Sequence, residues 1–282
     1  MILGIDVGGS TTKIVGLRND SKTVSIVGMM QVAAGDQITS AFGAFGKFTA
    51  EYGLKMSDIS KIMVTGVGAS YLERGMYDIP TKRVDEFLAI GLGGLKLAAL
   101  PEALIVSVGT GTALVKASPD GITHIGGSGV GGGMLLNLAA RFAGVHNFNG
   151  ITELAAAGDL ANVDLRLSDI SREQIGNLPP GTTVSNFGNL RDNAASADIL
   201  LGFINMIFES IGMMAIFATR GDNVKDIVLI GALSTVKQAE NVFETLSKLH
   251  PVRFHVPQDA IFATAVGAAL SELVQNPNGG CN

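Results

Sequence analysis

Cysteine is nearly missing from this chain of 282 residues: the one copy is Cys281, beside the C-terminus. A lone terminal thiol excludes a disulfide framework and a cysteine-based metal site, and it fits a reducing cytoplasm. Charge is also scarce. Charged residues are 16% of the chain and the formal net charge is −5, which argues against nucleic-acid or anionic-membrane surfaces, since both need basic clusters. The opening residues read as a strand ending in Asp6, without the basic region or cleavage site of a signal peptide, so a cytoplasmic protein is expected. The longest apolar run, Ile199 to Ala218, contains Asn205, Glu209 and Ser210. Such a helix is expected to lie inside the protein or at a dimer interface, because a charge at a bilayer centre is costly. What is abundant is apolar surface and glycine: hydrophobic residues make up 47% and glycines number 37, with a mean hydropathy of +0.37. The length fits two domains of ordinary size, each able to bury a core.

The first informative stretch runs from Ile2 to Val15: an Ile/Val-rich strand, Asp6, then Gly8, Gly9, Ser10, Thr11, Thr12 and Lys13. A Walker A loop or a dinucleotide fingerprint leads into a helix. Here β-branched residues follow, so a second strand is expected. A strand, tight Asp-x-Gly-Gly turn and strand suit a phosphate held by a turn. Gly8 and Gly9 are expected to take positive φ, and the N–H groups of Gly9, Ser10 and Thr11 to form an anion nest. Lys13 would add positive charge, and Asp6 could bind Mg²⁺ directly or through water. The plainer reading is a glycine hairpin with Asp6 capping its turn.

Residues 104–115 repeat the layout: an apolar strand, Gly109-Thr110-Gly111-Thr112, and a second apolar strand. Aligning Asp6 with Ser107 puts Gly8 on Gly109 and Thr11 on Thr112. Two such hairpins suggest two lobes of related topology facing one cleft. Together they resemble the actin, Hsp70 and sugar kinase superfamily, in which two hairpin loops clamp the nucleotide phosphates. That resemblance implies an α/β, ribonuclease H-like, two-lobe fold, each lobe a mixed sheet flanked by helices.

The rest of the chain alternates strand and helix patterns, as expected for sheets covered by helices. Strands are expected at Thr23–Val32, Lys61–Thr65, around Ile122, at Ile227–Ile230 and at Val252–His255. Helices are expected at Ile38–Tyr52, around Tyr71, at Asp85–Leu100, Met134–Ala143, Ser196–Thr219, up to Leu249, and at Ala260–Val274. The stretch from Leu154 to Asp164 reads as a short helix, a turn and a helix start. Residues 176–193 read as a loop, and the tail from Asn276 as disordered. Pro101 closes a first lobe, residues 1–100, and a second lobe spans 101–282. No low-complexity linker separates them.

Six glycines crowd the octad Gly126–Gly133 before an apolar helix. A glycine-rich turn at a helix N-terminus is a natural anion site, with Gly129, Gly131, Gly132 and Gly133 as candidate contacts; a flexible linker is the plainer alternative. This octad, the segment Ala155–Asp164 and the run Ser185-Asn186-Phe187-Gly188-Asn189 resemble the type II pantothenate kinases. The resemblance covers essentially the whole chain. It implies a cytosolic homodimer that uses ATP and Mg²⁺ to phosphorylate the primary hydroxyl of pantothenate, at the start of coenzyme A synthesis.

Phosphorylating an alcohol needs a base near the hydroxyl and donors around the phosphoryl group. In the family the catalytic Glu precedes a Phe, which matches Glu86 before Phe87; alternatively, Asp85 and Glu86 favour the N-terminus of the helix they open. Gly231, after an apolar strand, resembles the superfamily's adenosine loop, although a plain strand-to-helix turn reads almost as well. Thr110, Thr112 and His124 are the candidate substrate contacts. Two positions depart from the family: His124 stands where an Arg contacts pantothenate, and Ala113 where a Ser follows the second hairpin. The alternatives are a kinase of another small alcohol, such as an amino sugar, and a nucleotide-binding sensor dimer without catalysis.

Overall fold

The computed structural model describes residues 1–20, 23–72, 75–221 and 224–275. Cys281 and the tail from Asn276 lie outside them. Two five-stranded mixed sheets have the same order and the same strand directions. In the first, β1 (Ile2–Val7) pairs antiparallel with β2 (Thr11–Asp20), and β2 with β3 (Thr23–Ala33). On its other side β1 runs parallel to β4 (Lys61–Thr65), and β4 to β5 (Thr81–Arg83). In the second sheet β6 (Ala103–Val108), β7 (Thr112–Ser118) and β8 (Gly121–Ser128) form the meander. There β11 (Asp226–Ile230) and β12 (Arg253–His255) take the places of β4 and β5. Every residue of β1 is buried, as a near-continuous Ile/Val/Leu run requires of a strand covered on both faces.

Helix α1 (Gln37–Glu51) covers one face of the first sheet, with Phe45 and Phe48 fully buried. Asp36 caps it by accepting from the Thr39 N–H at 2.8 Å. Helix α2 (Glu86–Ala98) is capped by Asp85, which accepts from the Leu88 N–H at 2.9 Å. Helix α8 (Ala263–Gln275) returns from the second half of the chain to lie against β1, β2, β4 and α2. The crossing is backbone to backbone: a Cβ on Gly93 would strike the Ala263 carbonyl, and one on Gly267 the Ala89 carbonyl. Only glycine allows axes this close.

The second sheet is backed by α3 (Gly132–Ala143), α4 (Phe148–Ala155), α6 (Ser196–Thr219) and α7 (Gln238–Leu249). The apolar run expected inside the protein is α6. It is long and apolar enough to cross a membrane by length and composition, but Leu200, Ile204, Ile207, Phe208 and Ile211 all sit in the largest core cluster. Near its start Asp198 accepts from the backbone N–H groups of Asp159 (2.7 Å) and Ala195 (3.0 Å) and from Asn162 Nδ2 (3.1 Å). The backbone hydrogen bond from Asp159, foremost, holds its carboxyl below the usual range. Asp164, fully buried, accepts from the Phe187 N–H at 2.8 Å and from Asn205 Nδ2 at 3.0 Å. The two motifs around Asp159 and Phe187 therefore serve to seat this helix.

Several expectations need correction. The stretch 176–193 contains β10 (Thr183–Ser185), paired with β9 (Leu165–Arg166), which precedes the short helix α5 (Leu167–Ile170). The helix expected to begin near Leu154 instead begins at Phe148. The glycine octad is not one turn: Gly126–Ser128 belong to β8, Gly132 and Gly133 to α3, and only residues 129–131 form the loop.

Candidate active site

The first hairpin turns through Gly8–Thr11, closed by a 3.1 Å hydrogen bond from the Gly8 N–H to the Thr11 carbonyl. Neither Gly8 nor Gly9 lies in the left-handed φ region, contrary to expectation. Glycine is needed at position 8 for space instead, since a Cβ there would lie 2.9 Å from the Thr11 carbonyl oxygen. Nothing lies within 4 Å of a Cβ on Gly9, and Gly9 and Ser10 are exposed. The tip is thus open to a ligand.

Behind the tip, Asp6 and Lys13 face each other across β1 and β2, Nζ to Oδ2 3.4 Å. Both are buried. Burial pushes the Asp6 carboxyl up from its ordinary range, and Lys13 opposes the shift through its charge and its hydrogen bond. Gly66, at the end of β4, has φ of 89° and packs its backbone close against the Asp6 carboxylate, leaving no room for a side chain: a Cβ there would sit 2.6 Å from Asp6 Oδ1. Gly66 is not among the residues expected at the site. The signal was available, because β4 is an apolar strand that ends in glycine beside the Asp-bearing strand.

Glu86 opens α2 and is half-buried. Desolvation pushes its carboxyl up, and the neighbouring charges of Asp6 and Asp85 add to the shift, while Lys13 opposes it. Residues about eighty positions apart are thereby gathered into one electrostatic neighbourhood. A carboxylate tuned upward in this way suits general-base chemistry near neutral pH.

The second hairpin is built differently. Asp6 pairs with Lys13 and Val7 with Thr12, whereas Ser107 pairs with Ala113 and Val108 with Thr112. The second turn is one residue shorter, so Thr112 matches Thr12, not Thr11, and Ala113 takes the place of Lys13. The glycine stretch lies directly on this hairpin. The Gly132 N–H donates to the Gly109 carbonyl at 2.8 Å and the Gly133 N–H to the Thr110 carbonyl at 2.9 Å. A Cβ on Gly131 would lie 2.8 Å from Gly111 Cα. The first N–H groups of α3 are therefore engaged by the hairpin and shape its wall. Thr112 is buried and donates its hydroxyl to the Val130 carbonyl at 2.8 Å, while Thr110 is exposed and Gly129 has open space around it.

Gly231 joins the same region with φ of 95°, and a Cβ there would meet the Val108 carbonyl oxygen at 2.7 Å. His124, exposed on β8, stacks on Phe87, with ring centroids 3.8 Å apart and planes 9° from parallel. The structure thus brings Asp6, Lys13 and Glu86 together, and separately joins Gly109–Thr112, Gly129–Gly133 and Gly231. His124 connects the two groups through the residue after Glu86.

Mg²⁺ is commonly held by one or two carboxylates together with substrate phosphates and water. Asp6, the carboxylate at the base of the first hairpin, fits that pattern. Among the described residues there is no cluster of three or more metal-ligating side chains, so such an ion would depend on the nucleotide for further ligands.

Residues 96–262 match the sequence pattern of the Fumble family. The type II pantothenate kinase of Staphylococcus aureus strain USA300 is 26% identical over 282 residues, covering 96% of this chain and all of that protein. The protein of the same name from strain MRSA252 is 26% identical over 278 residues, covering 95% of this chain and 98% of that one. Among solved structures, component A of the (R)-2-hydroxyglutaryl-CoA dehydratase of Acidaminococcus fermentans superposes with a TM-score of 0.67 at 21% identity, covering 96% of each chain. The ROK hexokinase of Thermus thermophilus gives 0.55 at 14% identity, covering 96% of this chain and 97% of that one. These neighbours share the actin-like ATPase fold expected from the two hairpins.

Proposed function

The chain belongs to the Fumble family, the type II pantothenate kinases, and from that premise we propose that it transfers the γ-phosphoryl group of ATP to the primary hydroxyl of pantothenate. The observation that carries this reading is the placing of Glu86 beside the Asp6–Lys13 pair: Asp6 pairs with Thr65, whose hydroxyl donates to the Val84 carbonyl at 3.1 Å, two residues before Glu86. Glu86 takes the proton of the alcohol as its oxygen forms a bond to the γ-phosphorus, and the bond to the ADP oxygen breaks. The exposed Gly9 and Ser10 of the first tip and the exposed Thr110 of the second offer backbone N–H groups to the phosphates, with Gly129 and Gly131 at the far wall. Lys13 supplies the fixed positive charge. Gly231 leaves room for the adenosine against the end of β6.

Asp6 would hold Mg²⁺, which when bound neutralises phosphate charge. Thr110 and the edge of the His124 ring are the polar groups presented to pantothenate; the hydroxyl of Thr112 is engaged with Val130. The lobes of the proposal are residues 1–100 and 101–282, with α8 packed back onto the first sheet. A cytoplasmic homodimer completes the reading.

Glu86→Gln keeps the shape but accepts no proton. It should lower kcat by about a hundredfold or more, with affinity for a fluorescent ATP analogue held within about twofold. An unchanged kcat would remove Glu86 from the chemistry.

A further inference from the structure

The Phe87–His124 stack is a contact between helix α2 and strand β8 of the second sheet, one residue from the proposed base. We propose that Phe87 and His124 are positioning residues whose stacked rings set the first turn of α2, and with it Glu86, relative to the glycine-rich wall. The proposal rests on the kinase reading above.

Helix α2 and strand β8 meet along two matched pairs. Positions 87 and 91 lie one turn apart on one face of α2, and positions 122 and 124 share one face of β8. Gly91 leaves no room for a side chain, since a Cβ there would lie 2.7 Å from Ile122 Cγ2. That pair fixes how close the helix lies to the strand. The second pair is the stack, at 3.8 Å between centroids. Four helical residues rise about 6 Å and two strand residues about 6.6 Å, so both pairs can close at once. The helix is thereby aligned along β8 at two points, and the N-terminal point is the one beside Glu86.

What β8 carries makes this alignment matter. Four residues beyond His124 the strand ends at Ser128, paired with Thr112 across the hairpin, and the Gly129–Gly131 loop follows. Upstream of α2, Val84 bonds back to β4 of the first sheet through its N–H, at 2.8 Å from the Val64 carbonyl. The stack therefore lies where the chain leaves the first sheet at Val84 and enters the base-bearing helix that packs on the second sheet, beside its glycine wall. Phe87 packs with Ala113 and Ile122 around the core cluster of α2, β6 and β7, but His124 stays exposed. The imidazole is not required to fill that core. Its face covers Phe87 while its edge remains available to substrate.

The two roles of His124 separate in kinetics. His124→Phe keeps a flat ring for the stack and removes the N–H. It should keep kcat within about threefold while raising KM for the alcohol about tenfold or more, the size of a lost substrate hydrogen bond. His124→Ala removes both. It should raise KM similarly and also lower kcat about tenfold or more, since misplacing a reacting group by a fraction of an ångström slows the chemical step. Phe87→Leu should lower kcat on its own, and combining it with His124→Ala should add little, which a double-mutant cycle reads as coupling. Melting curves of the exposed-site variants check that each is folded. Equal kcat in the native protein and His124→Ala, or equal loss of kcat in His124→Phe and His124→Ala, overturns the stack. A native protein that ignores pantothenate but phosphorylates another alcohol overturns the pantothenate reading alone, and the variants are then compared on that alcohol. Absence of any ATP turnover overturns both.

Discussion

At the tip of the first hairpin a buried ion pair, Asp6 and Lys13, stands behind an open turn, whereas at the second the same strand positions hold Ser107 and Ala113 behind a turn covered by glycines. The sheets around them have the same strand order and the same directions. One topology has thus been given two uses. The first hairpin places a buried charge pair behind its turn and keeps Gly9 and Ser10 exposed at the tip. The second exchanges its charge for close packing: its carbonyls accept from the start of α3, and its Thr112 fastens the Val130 carbonyl. The difference teaches that a repeated strand-turn-strand sequence identifies the fold, while the residues behind the turn decide which copy is electrostatic and which is structural.

The largest expected effect is in the charged copy. Lys13→Met leaves Asp6 buried without its partner and should destabilise the protein by about 3 kcal/mol or more, measured by urea denaturation. Ser107→Ala, at the position of Asp6 in the neutral copy, should stay within about 0.5 kcal/mol. Similar costs for both would break the distinction.

The glycines give the next contrast. Gly132→Ala drives a methyl to 2.8 Å from the Gly109 carbonyl oxygen, and overpacking of this kind costs about 1–3 kcal/mol. Gly9→Ala meets nothing within 4 Å and should leave stability unchanged while weakening ATP-analogue binding. A destabilised Gly9→Ala protein would show that the first tip is packed after all.

Glu86 extends the charged copy's influence along α2. Desolvation first, then the charge of Asp6, raise its carboxyl. The base must be ionised to act, so kcat/KM should fall on acidification through a midpoint above the ordinary glutamate range. The same shift bears on stability. Above that midpoint the folded protein carries a charge that its surroundings disfavour, so Glu86→Gln should melt higher than the native protein at neutral pH. That advantage should shrink as pH falls through the raised pKa and vanish below the unfolded one, where both forms are neutral. An advantage that grows on acidification would contradict the direction of the shift.

The smallest contrast is between equivalent hydroxyls. Thr112 donates to a carbonyl, whereas the buried Thr12 hydroxyl has no hydrogen-bond partner among the described residues. Thr112→Val should cost about 1 kcal/mol, and Thr12→Val should be neutral or stabilising. Thermal melts of the pair decide it.

Much of this was legible in the residues. Long apolar-periodic segments such as α1, α2 and α6 fell within about two residues of expectation, because burial of one face or of the whole helix is written in the spacing. Asp6, Lys13 and the two hairpins were visible as patterns as well. The failures have a common cause in tertiary pairing. Strands β5 and β10 are three residues each, too short to show a period, and exist only because a partner strand offers hydrogen bonds. The glycines of the octad looked like a loop because nothing local reveals that Thr112–Leu114 would pair with them. The one-residue difference between the hairpin turns was hidden by matching glycines. The packing of α8 on α2 depends on glycines 93 and 267, and its return to the first sheet on Gly4 against the Ala265 backbone, pairings between distant parts of the chain that no local window contains.

The central claim is that the two unlike hairpins serve one phosphoryl transfer to pantothenate. ³¹P NMR of the native protein with ATP, Mg²⁺ and pantothenate tests it most directly. The account predicts one phosphate monoester of pantothenate for each ADP released, no comparable ADP release when pantothenate is omitted, and loss of the monoester signal in Glu86→Gln. ADP released at the same rate with or without pantothenate, and no monoester formed, would contradict it.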